Sequence, residues 1–199
     1  MARIDPVERN ALVADAALTV LERDGLAGLS VRKVAAQAGL APASLRRAFP
    51  SQNQLRAYCL TVIRERATAR VRALRSTGAT LAADLLRELL PLDATRRLEV
   101  LAQTQLALLA LTDERLQPAA AELHAAVARA CRFAIETLRD AGRFAESRNA
   151  DDEAARLHAL VDGLAIQGLW NPTGLDPRNV SIVLDAHLDE LQRPTERRR

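Results

Sequence analysis

Apolar residues return at three- and four-residue spacing along most of the chain, the period of helices that bury one face. Leu12, Ala16 and Val20, flanked by Val13, Ala17 and Leu21, predict a first helix from about Asp5 to Asp24, which Gly25 stops by allowing a left-handed cap. Ser30 is a natural N-cap for a second helix, in which Val31, Val34, Ala35 and Ala38 face inward and Arg32, Lys33 and Gln37 stay outside. Gly39 ends it. Pro42 suits the first position of a short third helix, because its missing N–H has no partner there anyway. Leu45 and Phe49 fall on the inner face of that helix, leaving Ala43, Ser44, Arg46 and Arg47 outward. Two short helices joined by a three-residue, glycine-bearing turn form a helix-turn-helix pattern.

Pro50 breaks the third helix, and Ser51 with Gln54 predicts a capping-box start for a fourth, about Ser51 to Arg75, with Leu55, Cys59, Val62 and Ile63 as its apolar stripe. That helix joins head to body. Further helices are marked by Leu81, Leu85 and Leu89, by Leu98, Leu101 and Leu108, and by Val127, Cys131, Ile135 and Leu138, with Pro91, Pro118 and Gly142 between them. Two closing helices are expected at about Asp151 to Trp170 and Pro177 to Gln192.

Charge changes the picture. Between Asp24 and Glu65 no acidic residue occurs, yet the stretch carries Arg32, Lys33, Arg46, Arg47, Arg56 and Arg64. Residues 1–75 hold thirteen basic and six acidic side chains, net +7, whereas residues 76–199 hold fifteen and nineteen, net −4. A basic segment alone is often only a solvated helix face; on a helix-turn-helix it points to double-stranded DNA. At 199 residues, 49% hydrophobic and poor in Gly, Pro and aromatics, the chain is expected to be all-α. No apolar run reaches the roughly 20 residues of a membrane span, and the start lacks a signal-peptide core, so a cytoplasmic protein is expected. Cys59 and Cys131 lie on apolar stripes and read as free, buried thiols. No metal-ligand spacing appears.

The run from Leu29 to Gln52, with Leu21-Glu22-Arg23-Asp24-Gly25 before it and Leu55 after it, resembles the amino-terminal domain of TetR-family repressors over roughly residues 7–56. The resemblance implies a TetR-like fold: a three-helix DNA-binding head, residues 1–50; a larger helical ligand-binding and dimerisation body, residues 51–192; and a tail, residues 193–199, expected to be disordered. It also implies a homodimeric, ligand-responsive transcriptional regulator whose third helix enters the major groove. Carried onto this chain, the DNA-binding residues are Ser30, Arg32, Lys33, Ala41, Pro42, Ala43, Ser44, Arg46, Arg47 and Gln52.

Three positions depart from the family pattern. Ala41 stands where Ser or Thr usually caps the recognition helix, a loss of about 1 kcal/mol that Pro42 partly offsets. Arg46 replaces the usual phosphate-touching tyrosine, and Gln52 the usual lysine. An arginine fork on guanine O6 and N7 discriminates by about 1 to 3 kcal/mol, so Arg46 or Arg47 is expected to contact bases or phosphate.

The stretches Leu86 to Thr112 and Leu160 to Gly168 resemble, more loosely, the carboxy-terminal region of BetI-type, choline-sensing members, without their ligand carried over. On the closing helices, Leu157, Leu160, Val161, Leu164 and Gly168 form one apolar stripe, and Val180, Val183, Leu184, His187 and Leu191 another. Paired with a second copy they are expected to build a four-helix bundle; the alternative is that both complete the monomer core. Gln105, Thr112, His124 and Cys131 are candidate effector contacts, since each polar group on a buried stripe must find a partner, either a ligand or the chain itself. The scarcity of aromatics favours an apolar small molecule over a ring-caged cation. His158 and Asp162, four apart, are read as pairing with each other or across a dimer, ahead of a triad or a metal site.

These features predict a DNA-binding regulator released from a palindromic operator by a small molecule, most often a repressor. The other readings are a small helical enzyme, disfavoured because no catalytic cluster, phosphate loop or nucleophile elbow is present and no cofactor is implied, and a helical interaction protein whose degenerate helix-turn-helix no longer binds DNA.

Overall fold

The computed structural model describes residues 6–170 and 176–194. Among them are nine α-helices: α1 (Pro6–Gly28), α2 (Val31–Gln37), α3 (Pro42–Ala48), α4 (Gln52–Ala73), α5 (Gly78–Arg87), α6 (Ala94–Ala110), α7 (Gln117–Asp140), α8 (Ala150–Trp170) and α9 (Pro177–Glu190), with a 3-10 turn at Glu114–Leu116 and no strand. The fold is all-α, as the periodicity predicts. No described helix is long and apolar enough to cross a membrane. Of the expected tail, residues 195–199 lie outside the described residues.

The chain divides into two compact units. The first comprises the chain up to Arg66 together with Ala102–Ala120; the second comprises Ala67–Leu101 and the chain from Ala121 onward. The first therefore extends well past residue 50, for a physical reason. Asn53 donates to Asp113 Oδ2 (3.3 Å), and Gln105 on α6 accepts from the Leu26 amide (2.5 Å), tying the second half of α6 to the kink at Gly25, where α1 bends and continues to Gly28 rather than stopping. That kink depends on Gly25, whose φ of +70° is a left-handed conformation and whose missing Cβ would sit 3.0 Å from Gln105 Nε2.

In the second unit, α5, α7, α8 and α9 enclose an aliphatic core of Leu86, Leu90, Ile135, Leu157, Val161, Leu164, Leu184 and Leu191, with Cys131 among them. Arg97 donates to the carbonyls of Gly168 (2.7 Å) and Leu169 (2.9 Å), satisfying orphan acceptors at the end of α8. Gly168 has no room for a side chain, since a Cβ would lie 2.6 Å from Pro91 Cγ. Arg70 grips Glu99 in a bidentate pair (2.9 and 2.6 Å) and also reaches Glu88 (2.8 Å).

Two expected apolar stripes are corrected. On α5 the fully buried positions are Ala82, Leu86 and, beyond its end, Leu90, rather than Leu81 and Leu89. On α6 the buried apolar positions are Val100, Ala102, Leu106 and Ala110, beside the buried Glu99, while Leu108 is 60% exposed. Helices this rich in Ala and Leu offer more than one face with helical spacing, and packing partners choose between them. The stripes assigned to dimerisation are turned mostly inward. Leu157, Val161, Leu164, Val180, Leu184 and Leu191 are buried in the protomer's own core, and Gly168 packs on Pro91, as in the alternative in which these stripes complete the monomer core. Leu160 and Val183 are the most exposed of that apolar set, and with Leu164 they line a groove of about 250 Å³ alongside Ala159, Gly163, Gln167 and Asn179.

His187, from the same set, is half-buried, and its Nε2 has no hydrogen-bond partner. Burial pushes its pKa below the ordinary value, and Arg148 and Arg156 add to this against the opposing pull of Glu153 and Glu190. A histidine kept neutral by folding charges more readily in the unfolded chain, so its contribution is lost as pH falls below about 6.5. Denaturation midpoints are expected to decline from pH 7 to pH 5, and a His187→Gln variant to flatten that slope. An unchanged slope in the variant would assign the decline to other groups.

Candidate nucleic-acid interface

Within the first unit the local chemistry of α2 and α3 is as the residues dictate. Ser30 Oγ accepts from the Lys33 amide (3.3 Å) to cap α2, and Gly39 takes a φ of +65° in the turn that follows. Pro42 opens α3, while Ala41 sits at its N-cap with extended backbone and makes no side-chain capping bond. An Ala41→Ser variant is expected to stabilise α3 by about 1 kcal/mol, which slows hydrogen exchange of its amides about fivefold; no slowing would show that Pro42 alone sets this helix start. Gln54 donates its amide to Ser51 Oγ (3.2 Å), and Ser51 donates its own to Gln54 Oε1 (3.0 Å), the reciprocal capping box at the start of α4.

Leu45 on α3 is buried with Val34 and Ala35 of α2, which leaves Ala41, Pro42, Ala43, Ser44, Arg46 and Arg47 exposed on one surface. Phe49 lies half-buried with its ring 4.9 Å from that of Tyr58, whose hydroxyl donates to the Asn10 carbonyl (3.2 Å). Arg9 of α1 donates to Ser44 Oγ (2.9 Å), which pins the exposed face of α3 to α1.

The cations of this unit separate into two kinds. Lys33 Nζ lies 2.9 Å from Asp24 Oδ2, and Arg23 holds the same carboxylate at 3.0 Å. Together they keep Asp24 far below the usual carboxylate range. Arg56 donates to the carbonyls of Leu26 (3.0 Å) and Ala27 (3.3 Å) and to Asn53 Oδ1 (3.2 Å). Gln52 donates to Leu29 O (2.8 Å) and Ala27 O (3.2 Å). These side chains fasten α4 to the link between α1 and α2. Arg32, Arg46 and Arg47, by contrast, are exposed and make no ion pair or hydrogen bond among the described residues. Three unneutralised guanidinium groups on and beside a helix-turn-helix form an anion-binding surface.

This arrangement agrees with what the chain is similar to. A sequence profile described as "Bacterial regulatory proteins, tetR family" matches residues 13–59, and one described as "BetI-type transcriptional repressor, C-terminal" matches residues 78–193, more than half of the chain. The chain belongs to the TetR family of transcriptional regulators. Among this regulator's relatives is the HTH-type transcriptional regulator PksA of Bacillus subtilis (strain 168), 26% identical over 95% of this chain and 92% of that one. Among solved structures, a transcriptional regulator from Saccharomonospora viridis in complex with choline superposes with a TM-score of 0.78 at 20% identity, covering 92% of this chain and 96% of that one. The multidrug binding protein EbrR in complex with imidazole is 30% identical with a TM-score of 0.60, over 92% and 90% of the two chains. The regulator is thus a ligand-responsive, DNA-binding member of its family.

The candidate effector contacts are divided between the two units. Gln105 and Thr112 belong to the first unit: Gln105 is engaged by Leu26, and Thr112 is exposed with its hydroxyl on the Leu109 carbonyl (3.3 Å). His124 and Cys131 belong to the second, where His124 is exposed and Cys131 is fully buried. Both cysteines are free thiols, with pKa pushed up by burial to about 11 at Cys59 and about 12 at Cys131. Sequence reasoning missed the clamps made by Arg9, Arg56 and Gln105. Their partners are main-chain atoms or hydroxyls 30 or more residues away, a separation for which no sequence signal exists.

Proposed function

We propose that this regulator represses transcription by binding a palindromic operator as a homodimer, and that a small apolar molecule releases it. The observation that carries this reading is the unneutralised trio Arg32, Arg46 and Arg47 beside the exposed Ala43 and Ser44, small side chains that let the backbone of α3 approach a major groove. Residues 1–50 form the DNA-binding part, with Ser30, Ala41 and Pro42 setting helix starts. Lys33 and Gln52, engaged as they are with Asp24 and with main-chain carbonyls, position the recognition surface rather than supply free charge.

A second copy is proposed to dock on the outer faces of α8 and α9. Leu160, Gly163, Ile182 and Val183 lie on those faces; Ile182 is 63% and Val183 45% exposed, and Gly163 and Ala159 allow close approach. Two-fold pairing there presents two heads to two half-sites. The effector is proposed to enter the second unit, whose hydrophobic core cluster is aliphatic apart from Cys131, surroundings suited to an apolar ligand. It acts by its differential affinity for the DNA-competent and incompetent states, and α4, α6 and α7, each of which runs through both units, offer the covalent route between them. The regulator carries out no catalysis in this scheme and works in the cytoplasm, where its DNA is.

Sequencing the DNA that co-purifies with the protein tests the proposal. Recovery of a discrete set of inverted repeats, bound with an affinity that falls steeply with salt, is the expected result. Random fragments, or none, would instead leave a helical interaction protein with a degenerate motif.

A further inference from the structure

On α7 and α8 the second unit brings together three side chains that the DNA-binding reading does not use. One ligand atom each from His124, His158 and Asp162 lies within 4.8 Å of the other two. His158 and Asp162 sit one turn apart on α8, with Nε2 3.5 Å from Oδ2, and the His124 ring packs against that of His158 at a centroid distance of 4.7 Å. His158 is the fixed member. Its Nε2 is buried and, despite the nearby carboxylate, makes no hydrogen bond. Its side chain is only 13% exposed, whereas that of Asp162 is 58% exposed and His124 is exposed as well.

We infer that His124, His158 and Asp162 form a binding site for a divalent transition metal ion of the zinc, cobalt or nickel type. Two imidazole nitrogens and one carboxylate oxygen are the donor set such ions prefer over magnesium or calcium, which seek oxygen alone. Bonds of about 2.0 to 2.2 Å to a shared ion require donor atoms roughly 3.5 Å apart, so the described separations close by small rotations of the two exposed side chains. The buried nitrogen of His158 then gains the partner it lacks, as buried polar groups require. An ion there cross-links α7 to α8. With three protein ligands, the coordination shell keeps an open position for water or a small anion.

The site is separate from the proposed dimer face. At roughly 100° per residue along α8, Leu160 and Gly163 lie on one flank of the buried Leu157–Val161–Leu164 stripe, and His158 and Asp162 on the other. Metal binding therefore stands or falls independently of DNA binding and of dimerisation.

Calorimetric titration of Zn²⁺ into the tag-free, chelator-treated full chain, with the visible absorption of bound Co²⁺ as a second readout, tests the inference. One equivalent per chain is expected, and His124→Gln and Asp162→Asn are each expected to weaken binding by more than about tenfold, the loss that even an outer-shell partner can cause. Both positions are exposed, so thermal unfolding of the metal-free variants is expected to match that of the parent. Absence of binding to the parent chain, or binding that neither variant weakens, would overturn the assignment.

Discussion

Replacing Arg46 and Arg47 together by alanine is expected to abolish operator binding while leaving the fold and the oligomeric state unchanged. Both side chains are exposed and bonded to nothing among the described residues, so their removal exposes no buried partner and opens no cavity. Each arginine contact with a guanine edge carries about 1 to 3 kcal/mol. At about 1.4 kcal/mol per tenfold, the double variant loses about a hundredfold or more in affinity. The single variants separate the two roles. A residue on phosphate weakens binding to all sequences alike and lowers the slope of log affinity against log salt by about 1, whereas a residue on a base relaxes preference at a single operator position. Fluorescence anisotropy on the recovered operator, repeated at several salt concentrations, reads both effects. Unchanged affinity in the double variant would remove α3 as the recognition helix.

The second large effect is on stability. Arg70 is the only described partner of Glu99, whose side chain is 7% exposed, whereas Glu88 keeps Arg96 at 3.1 Å if Arg70 is lost. An Arg70→Met variant therefore strands one buried carboxylate. Removing one partner of such a pair costs about 3 to 5 kcal/mol, a large share of a typical domain's stability. Adding Glu99→Leu is expected to recover most of the loss, because two apolar side chains leave no charge to desolvate. Urea denaturation followed by circular dichroism checks both steps. A single variant as stable as the parent would mean that Glu99 reaches water when Arg70 is gone.

Much of the first unit is legible in the linear chain because its determinants are local. Ser30 caps an amide three residues on, Ser51 and Gln54 satisfy each other within one turn, Pro42 needs only a missing N–H, and Gly25 and Gly39 need only their positive φ. Such interactions do not depend on what the rest of the chain does. The body is harder to read. In α6, positions 98, 101, 105 and 108 and positions 99, 102, 106 and 110 both recur at helical spacing, and the second set is the one that is buried. In α8 and α9 the apolar stripes are real but face mostly inward, so the docking surface proposed for a second copy lies beside them, at Leu160, Gly163, Ile182 and Val183.

The order of residues alone determined the helices, their caps and breaks, the acid-free basic window and the family these mark, since each follows from neighbours within about a turn or from composition. Only the tertiary structure decided which cations are engaged: Asp24 claims Lys33 nine positions away, and carbonyls some thirty positions away claim Arg56, while Arg32, Arg46 and Arg47 have no partner among the described residues. The same holds for His124, which meets His158 and Asp162 only because α7 packs against α8. Charge pairing and ligand convergence act over a few ångströms in space regardless of separation along the chain, so packing settles them.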